Sequence, residues 1–359
     1  MTRLSTEKQD QKLGQKPTSF AQFMAEALYG QNGYYTQSVH IGGDGADFYT
    51  AALSPLFSFT IAQYVARIWD EFGQPEKLQI VELGAGQGEL AERVREWLTE
   101  HRPSLQFEYV IVEVSPYLEG VQRERLAQRP GADQHGFNVR WGIPDSNLPT
   151  VLVANELLDA LPVERIRRTK KGWEQAHVQR KQDGFEWLWK PAPENVAKLA
   201  AEYVACPIGT TAELCLEYPD FFQRLTMYGE PLRALFIDYG IGKAEWQAGV
   251  RPEGTLRAFH RHRVTDVLQT PGLVDLTADV NWDYATACAE QAGFRVEPLL
   301  TQAQFLMQFG ILDVFQSLQQ NLSALSELQK RAELTGQFKQ LVYPGGMGER
   351  FSVMSCRFY

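Results

Sequence analysis

The sequence predicts an α/β protein built around a mostly parallel sheet, and three observations predict it. Short apolar runs at 78–83, 107–113, 150–154 and 232–237 each lead into or end on a glycine or a polar side chain. Apolar positions with helical spacing lie between the first runs, at Leu90, Val94, Trp97 and Leu98 and again at Leu118, Val121 and Leu126. The first run opens directly into a glycine-rich turn, Gly84-Ala85-Gly86-Gln87-Gly88. Strand–helix alternation of this kind gives βαβ units and a sheet buried on both faces.

The elements follow in order. Residues 1–17 are polar, with Lys8, Lys12 and Lys16 and no apolar stretch after them; they are expected to be a disordered lead-in, neither signal peptide nor anchor. Ser19 with Gln22 can form a capping box for a helix whose apolar face is Phe20, Phe23, Met24, Ala27 and Leu28, closed by Gly30. After a loop at 33–50, Ser54-Pro55 reads as N-cap and first helical residue, and Phe57, Ile61, Tyr64, Val65 and Ile68 continue that helix to about Phe72. The strand at 78–83 precedes a helix over 89–98. A strand at 107–113 precedes a helix capped by Ser115-Pro116, and strands are expected at 137–141 and 150–154. Residues 163–189 alternate apolar and polar around a turn at 182–184, which predicts antiparallel strands added to the main sheet. A buried strand returns at 232–237. Strands at 294–299 and 351–358 flank a helical stretch over 302–341 expected to pack outside the sheet.

Composition narrows the function. The 359 residues include 35 Lys and Arg against 44 Asp and Glu, a formal charge of −9, with 44% hydrophobic residues. An acidic chain argues against nucleic acid as the main partner, because phosphate backbones need a basic face. No apolar run approaches the roughly 20 residues that span a bilayer, so no membrane partner is expected. Cys206, Cys215, Cys288 and Cys356 form no CxxC pair and are read as buried reduced thiols, which places the chain in the cytoplasm. His260 and His262 have i, i+2 spacing but stand beside Arg261 and Arg263, so no metal site is assigned. No G-x-S-x-G nucleophile elbow is present.

Four motifs carry chemistry. In Val81-Glu82-Leu83-Gly84-Ala85-Gly86-Gln87-Gly88 the glycines permit a tight turn and close backbone approach to a ligand at a helix start. The spacing is G-x-G-x-G, whereas a dinucleotide loop reads G-x-G-x-x-G. Glu82, two residues before the first glycine, suits a cofactor with a cationic amino-acid moiety. Glu113 ends the next strand, where a carboxylate can accept ribose hydroxyl protons or sit at a helix N-terminus before Ser115. Asn155-Glu156-Leu157-Leu158-Asp159 follows the fourth strand at the ligand-binding edge of the sheet, and Glu156 and Asp159 would share a face if that turn is helical. Phe236-Ile237-Asp238-Tyr239-Gly240 is a further strand ending in a carboxylate.

Together with Phe23-Met24-Ala25-Glu26-Ala27-Leu28-Tyr29 and Gly33-Tyr34-Tyr35, these motifs resemble the MidA-like family of S-adenosylmethionine (SAM)-dependent methyltransferases. The likeness continues through Asp47-Phe48, Thr50, Ser54-Pro55, Glu113-Val114-Ser115-Pro116, Gly254-Thr255-Leu256-Arg257, Asp275-Leu276-Thr277 and Met347-Gly348-Glu349-Arg350-Phe351. It implies a Rossmann-like class I methyltransferase sheet with an N-terminal helical extension, antiparallel additions and a C-terminal helical insertion. The corresponding segments are 18–76 covering the cofactor site, 77–300 as the core with additions around 163–215, 301–345 as the insertion, and 346–359 as the final core strand. The implied cofactor is SAM, with S-adenosylhomocysteine as product. Mitochondrial members of the family methylate an arginine of a complex I subunit. Two departures stand out. The family pattern Gly-Asp-Phe-x-Thr-Ser-Pro-Glu is one residue short here, at 46–53, and lacks its glutamate. Asp279 stands where a histidine is frequent.

The expected assignment therefore gives Glu82, Gly84, Ala85, Gly86, Gly88, Glu113, Asn155, Asp47 and Thr50 to the cofactor, and Glu156, Asp159 and Asp238 to catalysis on a protein substrate, an arginine guanidinium favoured. The oligomeric state is open, with a homodimer as the candidate. Two other functions fit less well: a non-catalytic SAM-binding assembly factor, suggested by the shortened segment, and a nicotinamide oxidoreductase, opposed by the glycine spacing.

Overall fold

The computed structural model describes residues 16–37, 50–127, 138–182, 184–260, 263–322 and 327–359. The chain forms two compact units, each discontinuous in sequence: residues 1–48, 158–221 and 240–288 in one, and 49–157, 222–239 and 289–359 in the other.

The second of these units carries the parallel sheet. Its strands are β1 (Leu78–Leu83), β2 (Phe107–Val112), β3 (Asn138–Trp141), β4 (Thr150–Asn155), β5 (Leu232–Ile241, to Tyr239 within this unit) and β6 (Phe351–Phe358), in spatial order β6-β5-β4-β1-β2-β3. All neighbouring pairs are parallel except β5 with β6. Every residue of β1 is buried, Gln79 and Glu82 included, as a strand covered on both faces requires. The direction of strand succession reverses between β1 and β4, and ligands of such sheets bind beyond the carboxyl ends at that switch point. Ile80, Val151, Val153, Leu235 and Ile237 belong to one buried cluster with Phe57, Ile61 and Tyr64 of helix Pro55–Glu71 and Leu90 and Val94 of helix Glu89–His101. Phe236 points to the opposite face by strand alternation and packs on Phe222, with ring centroids 5.5 Å apart. Helices Gln302–Gln308, Ile311–Asn321 and Leu328–Val342 fill the expected helical stretch and bury Phe305, Leu306, Ile311, Val314, Leu334 and Leu341 in the first cluster. Ser54 stands at the N-cap position before Pro55, but its hydroxyl donates to Gln337 at 2.9 Å instead of capping. The expected strand at 294–299 shrinks to Arg295–Val296, followed by Leu300–Thr301, both paired antiparallel with β6.

The other unit is antiparallel. Strands Glu164–Thr169, Gly172–Lys181, Gly184–Pro191 and Thr211–Leu214 form their own sheet with Thr18–Ser19, not additions to the parallel sheet. Alternation reports one buried face, and it does not say which sheet a strand joins. Helix Phe20–Tyr29 begins with the expected capping box at Ser19 and Gln22 and buries the five apolar residues read from the sequence. Phe20 packs on Trp187 at 5.1 Å and Phe23 on Phe185 at 5.4 Å between ring centroids. Arg257–His260 pairs with Arg263–Thr265 and Asp275–Thr277 in a small third sheet. The four cysteines are buried and unpaired. Among the described residues no helix is long and apolar enough to cross a membrane.

Candidate cofactor and active site

The glycine loop leaves β1 through Gly84 (φ +65°), Gly86 (φ +54°) and Gly88 (φ +86°), backbone that disfavours any side chain. A Cβ on Gly84 would also lie 2.9 Å from Leu157 Cδ1. Gly88 is the N-cap of helix Glu89–His101, so unsatisfied N–H groups of its first turn follow the loop directly. Ala85 is buried. Glu82 is only 4% exposed and accepts a hydrogen bond from the Tyr109 hydroxyl at 2.7 Å. Burial pushes its carboxyl up to about 8, with Glu89 and Glu113 adding to the rise against the Tyr109 bond. Glu82 therefore stands behind the loop as a carboxyl that a nearby cation would ionise.

At the end of β2, Glu113 Oε1 accepts the N–H groups of Val114 and Ser115, each at 2.9 Å. Ser115 Oγ in turn accepts from Leu118 N–H at 3.1 Å, so the expected cap of helix Pro116–Ala127 forms. Glu113 Oε2 accepts from Gln122 Nε2 at 2.9 Å, and the same amide donates to the Gly86 carbonyl at 2.8 Å. The Glu113 carboxyl is raised by burial, opposed by these bonds from Ser115, Gln122 and Val114.

At the end of β4, Glu156 adopts φ +53°, a left-handed conformation uncommon for a residue with a Cβ. Its N–H is held by the Ile237 carbonyl of β5 at 2.9 Å. Its Oε1 accepts from Thr50 Oγ1 at 2.6 Å and Asn155 Nδ2 at 3.1 Å. Thr50 Oγ1 also accepts from Asn155 Nδ2 at 3.3 Å and caps the short turn Ala51–Leu53. Burial raises the Glu156 carboxyl, with Thr50, Asn155 and the Ala51 backbone opposing. Asn155 Oδ1 is buried without a hydrogen-bond partner. Asp238 is 1% exposed, and its Oδ1 accepts from Tyr239 N–H at 2.9 Å. It lies one residue beyond Ile237, the partner of Asn155 across β5 and β4.

The structure thus brings Thr50, Asn155 and Glu156 together, and joins the glycine loop to Glu113. It does not form the helical face expected to pair Glu156 with Asp159. Glu156 is left-handed, and a 3-10 turn, Leu158–Ala160, follows it. Asp159 belongs to the other unit, where its carbonyl accepts from Ala278 N–H at 3.0 Å. Asp47 and His262 lie outside the described residues, as does the side chain of His260. Among the described residues no cluster of three or more His, Cys, Asp or Glu could hold a metal. Asp279, in the position where a histidine is frequent, pairs with Arg257. Two residues escaped the sequence reading. Tyr109 looked like one more apolar strand residue. Gln122 is fully buried while Val121 is half-buried; the signal was its i+4 spacing from Leu118 and to Leu126, a polar residue within the apolar stripe.

A loop turned through three glycines at positive φ, carboxylates flanking it at the ends of β1 and β2, and an orphaned buried oxygen on Asn155 fit a cofactor that carries an ammonium and hydroxyl groups. With the switch-point sheet, they define a class I SAM-dependent methyltransferase. Residues 60–299 match a family model of S-adenosyl-L-methionine-dependent methyltransferases. The Danio rerio protein named "Protein arginine methyltransferase NDUFAF7, mitochondrial" is 30% identical over 94% of this chain and 83% of its own. The Homo sapiens protein of the same name is 28% identical over 94% and 79%. The crystal structure of a Burkholderia thailandensis protein bound to S-adenosyl-homocysteine superposes with TM-score 0.87 at 30% identity, covering 99% of this chain and 93% of that one. The chain belongs to the MidA-like family of SAM-dependent methyltransferases.

The relatives also correct one expectation. They are named mitochondrial and point to that location rather than the cytoplasm. Unpaired cysteines distinguish a reducing from an oxidising milieu, and more than one compartment is reducing.

Proposed function

We propose that the enzyme methylates the guanidinium of an arginine in a protein substrate. The observation that carries this reading is Glu156: a carboxylate held in a strained backbone conformation at the end of β4, beside the unpartnered acceptor oxygen of Asn155. Its relatives' designation as protein arginine methyltransferases supports the same acceptor. In this reading Glu82 and Gly84 to Gly88, with Ala85, hold the amino-acid end of the cofactor and Glu113 its ribose. Thr50 and Asn155 bound the reacting end. Bound SAM supplies a methyl group already activated on its sulfonium.

Glu156 does two things. Ionised, it fixes the guanidinium plane through charge-assisted hydrogen bonds and leaves one nitrogen facing the methyl. The guanidinium arrives protonated and gives up that proton to a carboxylate only once the methyl has moved from the sulfonium sulfur to its nitrogen. A carboxyl raised by burial accepts that proton more readily than an ordinary one. Asp238, within β5 one residue past the partner of Asn155, is the supporting carboxylate. Asp159 is left out of this arrangement because the face meant to join it to Glu156 is not formed.

The test uses SAM with a labelled methyl group, a lysate of the host lacking the gene, and the wild type beside Gly86→Asp and Glu156→Gln. Wild type should label a protein on arginine. Gly86→Asp should label nothing, and Glu156→Gln should lose turnover at least about 100-fold with SAM affinity nearly intact. Label confined to small molecules, or unchanged turnover in Glu156→Gln, would sink the arginine reading.

A further inference from the structure

The helix Pro116–Ala127 turns an apolar face inward through Leu118 and Leu126, yet the residue midway between them is a glutamine with no exposed surface. Burying a primary amide is costly unless its hydrogen bonds are made, and an apolar side chain would satisfy the helix at lower cost. The amide is nearly saturated. Nε2 donates to Gly86 O at 2.8 Å and to Glu113 Oε2 at 2.9 Å, and Oε1 accepts from Trp141 Nε1 at 2.8 Å. Three of its four possible bonds are used. They reach the glycine loop after β1, the carboxylate after β2 and the last residue of β3.

We propose that Gln122 is a positioning residue for the cofactor: its amide fastens the Gly86 carbonyl and the Glu113 carboxylate in one arrangement before the cofactor arrives. The inference rests on the reading in which Glu113 binds the cofactor's ribose. Gly86 has φ +54°, a left-handed turn that glycine takes freely, and the Gln122 bond holds the carbonyl of that turn. Glu113 receives both backbone N–H bonds on Oε1, so the Gln122 bond orients the other oxygen. A cradle set in advance spares the entropy of ordering it on binding.

The bond also bears on charge. Glu119, from its own following helix, raises the Glu113 carboxyl, and Glu113 in turn raises that of Glu82 on β1. The nearby cations on that helix are engaged elsewhere. Arg123 pairs with Glu119 at 2.7 Å and lies over the Trp141 ring, and Arg125 pairs with Glu89 and Glu92. Removing the Gln122 donor therefore shifts Glu113 toward its protonated form, which binds hydroxyl protons poorly.

The experiment measures S-adenosylhomocysteine affinity of the full chain by calorimetry between pH 5.5 and 9, with thermal melts to verify folding. Gln122→Met keeps the length of the side chain and removes the amide. It should weaken affinity about tenfold or more, and the pH below which affinity falls should move upward. Q122E replaces the amide by a carboxyl that donates only when protonated. Its affinity should rise on acidification through the range where the Glu113 pair takes up one shared proton. Affinity and pH profile unchanged in Q122M, or a Q122E affinity that falls steadily with acid, would overturn the proposal. Should Q122M not fold, Q122E decides alone. Glu113→Gln separates the two ideas. If it weakens binding while Q122M does not, positioning fails by itself; if it leaves binding unchanged, the ribose reading fails and takes this inference with it.

Discussion

Glu82 binds a proton that an ordinary carboxylate would have released. Buried beneath the loop, its carboxyl titrates at about 8, against about 4.3 for an exposed glutamate. Between those values the folded protein holds a proton that the unfolded chain has lost. The stabilisation is complete below the unfolded value and disappears as pH rises through 8. At about 1.4 kcal/mol per pH unit, several kcal/mol are at stake. Without cofactor, the protein should lose melting temperature from pH 5 to pH 9, and Glu82→Gln should flatten that loss. Parallel wild-type and variant curves would show that Glu82 is not the titrating group. Glu156 illustrates a different residue-scale device. Its left-handed backbone costs of order 1–3 kcal/mol, and the bonds it accepts from Thr50 and Asn155 and donates to the Ile237 carbonyl hold it there.

Among elements, the helices between 302 and 342 are joined to the sheet by aromatic packing. Phe305 is 1% exposed and meets Tyr64 at 5.4 Å and Phe309 at 4.7 Å between ring centroids. Tyr64 belongs to helix Pro55–Glu71, which also packs in the cluster reaching β4 and β5. Phe305→Ala leaves a cavity lined by these rings and should cost about 3–5 kcal/mol in urea unfolding. A loss below about 1 kcal/mol would mean that the helices are an appendage and not part of this core. The antiparallel sheet of the other unit follows a separate logic: helix Phe20–Tyr29 lies on Trp187 and Phe185 of its hairpin, so the N-terminal helix is tied to that sheet.

For the whole molecule, a cofactor that binds only the folded chain stabilises it by mass action. At 100 times its dissociation constant, S-adenosylhomocysteine should add about 2.7 kcal/mol, a rise of roughly 3–5 °C in melting temperature for a chain of this size. Gly86→Asp should show no rise, because a side chain at φ +54° is strained and places a charge inside the loop. A rise of equal size in that variant would place the ligand elsewhere.

Local signals determined much of this protein. Leu78–Leu83 reads as a buried strand because every side chain is apolar or flanked by such residues, and all six are buried. The face of helix Phe20–Tyr29 and its capping box were legible for the same reason: caps and helical period act within a few residues. The glycine spacing announced the loop, and with the surrounding motifs it pointed to the cofactor class. Tertiary structure alone decided the rest. It gave the strands between 164 and 214 a sheet of their own with Thr18–Ser19. It gave Glu156 a left-handed backbone in place of the first turn of a helix, and it joined Thr50 to Glu156 across 106 residues of sequence. It also made Gln122 the link between loop and carboxylate. Periodicity and turn chemistry report how a segment folds and which side it buries, whereas partners far apart in the chain are chosen by packing.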